Sequence, residues 1–169
     1  MEIALLSPQS IKIKNKQAVF IIDPQDIKGK QQADAVIVLD DSQKPERIEE
    51  SRITVQGPGE YEISAVKINA VQNNKKTVFY LVVDAMIVLV AKSSAINEKD
   101  ARDVDVAIID ADAPVNQEVF AAFNARLGIF FGLHAKQSVT DFGKEVATAT
   151  KYIITKDKLP AETGMLLLG

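Results

Sequence analysis

Four aspartates stand just beyond short apolar runs of this chain: Asp40 and Asp41 after residues 36–39, and Asp110 and Asp112 after residues 104–109. If they converge, they could form an oxygen site for Mg²⁺ or Ca²⁺, because hard cations take carboxylate ligands. Acids at strand ends are also the ordinary residues of turns and caps. Ser42 and Ser93 offer hydroxyls. The single histidine, His134, is the one imidazole that could serve either of them as a base. Zinc hydrolysis needs several nitrogen or sulfur donors and an open position for water. One histidine and no cysteine cannot supply them. Neither a glycine-rich phosphate loop nor a serine-centred nucleophile elbow is present.

The elements that must position these residues read as β-structure in the first half. Residues 2–6, 10–14 and 18–22 are predicted strands, with Asn15-Lys16 as a turn. The third ends in Asp23-Pro24, where the carboxylate is expected to cap the following turn. Lys12, Lys14 and Lys16 share one face, as on the wet side of an edge hairpin. Residues 35–39 form a wholly apolar run of the kind buried in a covered sheet. Residues 44–51 could form one helical turn, and 53–55 a short strand. Gly57-Pro58-Gly59 reads as a tight turn, followed by an alternating strand over 63–71. A hairpin tip at 73–76 leads to strands 77–83 and 86–89, joined at Asp84-Ala85.

The second half alternates helix and strand. Asn97 is a cap for a short helix over 98–102, with Asp100 at the third helical position. Residues 104–109 are a buried strand. Pro114 opens a helix to about residue 125 whose Val115, Val119, Phe120 and Phe123 are read as core. Residues 127–133 are the next strand. Ser138 has capping-box-like spacing and is expected to start a helix to about residue 151, with Phe142 and Val146 inward. Residues 165–168 close the chain as a strand.

Residues 33–45, ADAVIVLDDSQKP, closely resemble the strand and loop that carry the His-x-His-x-Asp-His signature of the metallo-β-lactamase superfamily. The four ligand positions fall on Asp40, Ser42, Lys44 and Pro45, and Asp41 alone keeps the family's residue type. The family's early Gly-His segment falls on residues 7–11, with Pro8 at the histidine position. Asp23-Pro24 matches. The phrase GPGEYEI at 57–63 resembles a compact hydrolase branch related to ascorbate-phosphate lactonase, and is read as a backbone device. Tyr80 and Asp84 fit a strand pair that leads to the metal-bridging aspartate, whose position is Ser93. Lys92 beside it would oppose a dication rather than bind it. His134 follows a strand where the last ligand would stand. The resemblance implies a four-layer αββα sandwich of two mixed β-sheets, a metallo-β-lactamase-like α/β (α+β) domain over residues 1–169. It also implies a former pocket around Asp40, Asp41, Ser42, Ser93, Asp110 and His134, without the Zn or Mn that the family uses.

With 47% hydrophobic and 25% charged residues the chain is of ordinary globular composition. No apolar run reaches the roughly 18 residues of a membrane span, and the N-terminus lacks a signal-peptide pattern, so a cytoplasmic location is expected. A net charge of −3 and a pI near 5.2 argue against nucleic acid as a partner. Two functional expectations follow. The first is a catalytically degenerate, metal-free protein that self-associates or binds a protein partner. The second is an atypical hydrolase of a phosphate ester or lactone that uses a carboxylate-held cation.

Overall fold

The computed structural model describes residues 1–169 except 46, 47, 49, 50, 52, 74, 144 and 145. Half of the expected helical turn over 44–51 (residues 46, 47, 49 and 50) lies outside the described residues. Six strands form the first sheet: β1 (Glu2–Ser7), β2 (Ser10–Lys14), β3 (Val19–Ile22), β4 (Ala35–Val38), β5 (Ile53–Gln56) and the late β13 (Lys151–Ile153). Their order is β13-β1-β2-β3-β4-β5. The second sheet holds β6 (Gly59–Ile63), β7 (Val66–Asn73), β8 (Lys76–Val83), β9 (Met86–Lys92), β10 (Val106–Asp110), β11 (Leu127–Phe131), β12 (Ala147–Ala149) and β14 (Gly164–Leu168). Its order is β12-β14-β11-β10-β9-β8-β7-β6. Both sheets are mixed. The β3–β4, β4–β5, β9–β10 and β10–β11 pairs are parallel, and the hairpins β1–β2, β6–β7 and β7–β8 are antiparallel.

Period-two alternation decides which side chains meet between the sheets. Ile3, Ile11, Ile13, Phe20, Ile22 and Ile37 of the six-stranded sheet share one buried cluster with Phe79, Leu81, Val88, Val90, Ile108, Ile129 and Phe131 of the other. The alternate residues Leu89, Ala107, Ile109 and Phe130 face outward into a second cluster. Helices α1 (Gln117–Ala121) and α2 (Ala135–Asp141) cover it with Phe120 and Val139, and Phe123 and Phe142 join them just past the helix ends. Phe120, Phe130 and Phe142 pack in tilted and edge-to-face contacts with centroids 5.2–5.8 Å apart. Gly128 lets the layers close, since a Cβ there would lie 2.7 Å from the Phe120 ring. No described helix is long and apolar enough to cross a membrane, which says nothing of a β-barrel.

The two-sheet architecture agrees with the sequence reading, and several local expectations do not. Lysines 12 and 14 lie on a strand between β1 and β3, not at an edge; their face is wet because Ile11 and Ile13 fill the other. The expected strand over 63–71 is two strands. Ser64 and Ala65 turn with φ of 48° and 64°, as Asp84 and Ala85 do with 50° and 61°. Such double-positive turns match hairpin twist but normally use glycine or asparagine, so the sequence gives little sign of the break. GPGEYEI is likewise a turn only at its start, and Gly59 opens β6. The first helix is capped by Asn116, which accepts from the amides of Glu118 and Val119, and spans five residues rather than twelve. Ser138 lies inside α2. Its buried hydroxyl donates to the His134 carbonyl and accepts the Val115 amide at 3.0 Å, so it ties a loop rather than starting a helix. Residues 147–151, expected as the end of that helix, fall instead in β12 and the start of β13, each strand added to a sheet edge. Asn97 caps a single 3₁₀ turn, accepting the Asp100 amide.

Candidate functional site

The C-terminal ends of β3, β4, β9 and β10 meet at one end of the sandwich, where open α/β sheets place their binding clefts. β3 runs into Asp23, whose φ of 42° is a left-handed conformation that aspartate tolerates better than most residues. Its amide donates to the Ile37 carbonyl at 2.9 Å, and its Oδ1 accepts the Leu39 amide at 2.7 Å. The carboxylate thus secures the neighbouring strand end, not the following turn that the sequence suggested. In the other sheet, Lys92 ends β9 and Asp110 ends β10, directly paired in parallel register.

These three residues are 3%, 6% and 3% exposed, and they form one ionic unit across the two sheets. Lys92 Nζ donates to Asp110 Oδ2 at 2.6 Å and lies 3.2 Å from Asp23 Oδ2. The second contact is an ion pair without hydrogen-bond direction, so Asp23 Oδ2 is a buried acceptor with no hydrogen bond of its own. Burial opposes the lysine charge, but the two carboxylates outweigh it and push the pKa up to about 12. For Asp23 and Asp110 burial is the larger influence, and both are pushed above the usual carboxylate range despite the lysine. Two acids sharing one ammonium explain both directions: the lysine gains from each, while each acid is only partly compensated. Gly132, with φ 93°, makes room for the unit. A Cβ there would stand 2.3 Å from Asp110 Oδ1.

A second, wetter unit adjoins the first. Asp112 accepts the Lys76 ammonium at 2.6 Å, the Ser93 hydroxyl at 3.0 Å, and the amide and hydroxyl of Ser94 at 3.0 and 2.6 Å. Lys76 also donates to the Ser94 hydroxyl. Burial works against ionisation of Asp112, but these donors prevail and hold its pKa at about 2. Asp40 is half-buried and accepts the Ser42 amide and hydroxyl at 2.9 and 2.6 Å, an Asx turn. Burial works against its ionisation as well, and the Ser42 donors, with Lys76 and Lys92 beyond, hold its carboxyl below the usual value.

Between the units lies a cavity of about 130 Å³, lined by Asp23, Asp40, Lys92, Asp110 and Asp112 with Gln9, Gln25, Gln43 and Leu133. Of the residues singled out from the sequence, Asp40, Asp110 and Asp112 are on its wall. Asp41 turns away, accepting Gln72 Nε2 at 2.7 Å and Thr77 Oγ1 at 3.3 Å. Ser42 serves Asp40. Ser93 is held by Asp112 and by both backbone groups of Ala113. His134 is not among the lining residues: its amide donates to the Ala111 carbonyl, its own carbonyl receives Ser138, and it is no hydrogen-bond partner of Ser42 or Ser93. Sequence reading missed Asp23 and Lys76 as site residues. The signal for Asp23 was its place after an apolar strand, like Asp40 and Asp110. Lys92 was legible as a cation beside the bridging-ligand position, but not as the partner of two acids.

The sequence matches no protein-family model and no curated protein. Solved structures do match. A Thermotoga maritima protein described as a Zn-dependent hydrolase of the metallo-β-lactamase superfamily aligns with a TM-score of 0.77 at 14% identity, over 98% of this chain and 97% of its own. A mutant of the CmlA β-hydroxylase aligns with a TM-score of 0.65 at 10% identity, over 98% of this chain, which spans about half (52%) of that protein. The fold is therefore metallo-β-lactamase-like; identities this low speak to fold alone. The residues at the strand ends do not fit the metal that this fold implies. Among the described residues no three His, Cys, Asp or Glu converge as a ligand set, and lysine ammoniums already occupy Asp23, Asp110 and Asp112.

Proposed function

We propose that this chain is a catalytically degenerate, metal-independent protein of the metallo-β-lactamase fold that acts by binding a protein partner or a second copy of itself. The observation that carries this is the Lys92 ammonium seated between Asp23 and Asp110. A hydrolytic metal polarises its substrate and lowers the pKa of a bound water. An ammonium has no open coordination position and does neither. Held protonated to about pH 12, it is also neither a base nor a nucleophile near neutrality. Asp112 and Asp40 are likewise engaged as acceptors, and no imidazole hydrogen-bonds to either serine.

A binding role draws support from the outer, helix-bearing face of the eight-stranded sheet. Beyond the helices, β6 to β9 carry an open groove of about 560 Å³ lined by Tyr80, Val82, Ile87, Glu60, Glu62 and Arg102, among others. Val82 and Ile87 are 47% and 42% exposed there. Exposed apolar residues rimmed by charge are a common mark of interaction surfaces.

The test is elemental analysis of purified protein, thermal unfolding with Zn²⁺, Mn²⁺, Mg²⁺ or Ca²⁺, and its mass in solution. A specific ion at a hundredfold its Kd would raise Tm by roughly 5–10 °C. The expected result is no stoichiometric metal, no shift, and either an oligomer or a co-purifying partner. A bound cation lost in Asp110→Ala, with turnover of a phosphate ester or lactone, would replace this reading with the carboxylate-site hydrolase.

A further inference from the structure

We infer that the Lys92 ammonium is this fold's built-in cation: it takes over the structural work of a metal ion, drawing a carboxylate from each sheet onto one positive centre. The inference deepens the metal-independent reading above and rests on it. Asp23 comes from the six-stranded sheet and is fixed by Leu39; Asp110 comes from the eight-stranded sheet and is fixed by its register with β9 and by the space at Gly132. The ammonium reaches both, at 3.2 and 2.6 Å. All three groups are nearly sealed from water, so neither carboxylate has solvent to fall back on when the cation is removed. A surface lysine that had merely drifted into a vacant site would be wetter and would hold one acid, not two.

A site built around a covalent cation has a specific consequence. Removing the side chain beyond Cβ should leave a hole shaped for an exogenous cation. Propylammonium supplies the three carbons and the nitrogen that Lys92→Ala removes. Mn²⁺ would find two carboxylates and room for water, an oxygen site suited to a hard ion.

The experiment uses the full chain, thermal unfolding, and electron paramagnetic resonance of free Mn²⁺. Lys92→Ala should melt roughly 10 °C below wild type. Propylammonium or Mn²⁺ in the millimolar range should recover part of that loss, and Mn²⁺ should bind about one per chain, while wild type responds to neither. Adding Asp23→Asn and Asp110→Asn to Lys92→Ala should abolish both responses. Lys92→Arg and Lys92→Met separate charge from packing even if the alanine variant does not fold: Arg should stay within a few degrees of wild type, and Met should fall well below it. A methionine variant as stable as the arginine one would overturn the inference. So would a folded Lys92→Ala that ignores both probes, although the metal-independent reading would then survive. Mn²⁺ binding by wild type itself would sink both.

Discussion

Asp110 and Asp112 stand two residues apart at the end of one strand, and each accepts a lysine ammonium at 2.6 Å, yet they titrate in opposite directions. Asp112 is held at about pKa 2, whereas Asp110 is raised. The ion pair is common to both and cannot explain the difference. Burial and the number of donors can. Asp110 is 3% exposed, has the Lys92 ammonium on its carboxylate, and shares that ammonium with Asp23. Asp112 is less buried and adds three serine donors to its lysine. One unit is under-compensated and dry; the other is fully satisfied and near water. A buried pair is tolerated for what it holds together, and a satisfied one contributes stability directly.

The largest effect should come from breaking the dry unit. Asp110→Ala leaves the ammonium with a single misaligned acid, and losing one partner of a buried pair costs about 3–5 kcal/mol. Chemical denaturation should show that loss with little change in m, and Asp112→Ala should lose much less. If the two variants are equally destabilised, burial is not what separates the acids.

Gly132→Ala attacks the same unit without touching its charges. The new Cβ must displace Asp110 Oδ1 from 2.3 Å, at a φ of 93° that alanine rarely adopts. A loss of about 2–3 kcal/mol is expected. Combining it with Asp110→Ala removes the collision, so the double variant should fall short of the sum of the two. Strict additivity would show that the strain lies in the backbone alone.

This contrast also marks how much the sequence disclosed. The apolar runs ending in acids at residues 36–41 and 104–112 were enough to read strands with acids beyond their ends, because period and turn chemistry are local properties, but not to bring those acids together. The resemblance of 33–45 and of GPGEYEI carried the sandwich. Asp23 was read as a turn residue, since its partners, Leu39 and Lys92, lie 16 and 69 positions away and belong to different sheets. Ser64-Ala65 looked like the start of a strand because nothing in two small residues announces positive φ. Residues 147–151 went from expected helix to strand because two sheet edges needed covering, a tertiary demand that overrides local propensity.

The pH dependence sharpens the comparison at smaller scale. Asp112 has a folded pKa of about 2, below its unfolded value of 3.8. Its contribution is therefore present above pH 4 and lost as pH falls toward 2. Allowing for its partial exposure, it is worth about 1 kcal/mol. Wild type and Asp112→Asn should differ by that amount at pH 6 and converge near pH 2. Lys92 works at the other extreme: its raised pKa gives stability that is full below about 10.5 and fades as pH climbs through about 12. An Asp112→Asn difference that persists undiminished at pH 2 would mean that the carboxylate's charge is not what stabilises it.

The smallest expected effect concerns Asp40, which faces the same cavity but takes no lysine directly. Its carboxylate is held by Ser42 through an amide and a hydroxyl, in a half-exposed turn. Ser42→Ala removes the hydroxyl only, and water can replace it, so stability should change by less than about 0.5 kcal/mol. The Asp40 carboxyl, followed by NMR, should move up toward its ordinary value, because the largest of the influences that lower it has gone. The pairing of a clear titration shift with almost no stability change is what exposure predicts: the donor is replaceable where water reaches. A loss as large as that from Asp112→Asn would place Asp40 with the dry unit instead, and would extend the cation-held cluster across the whole cavity.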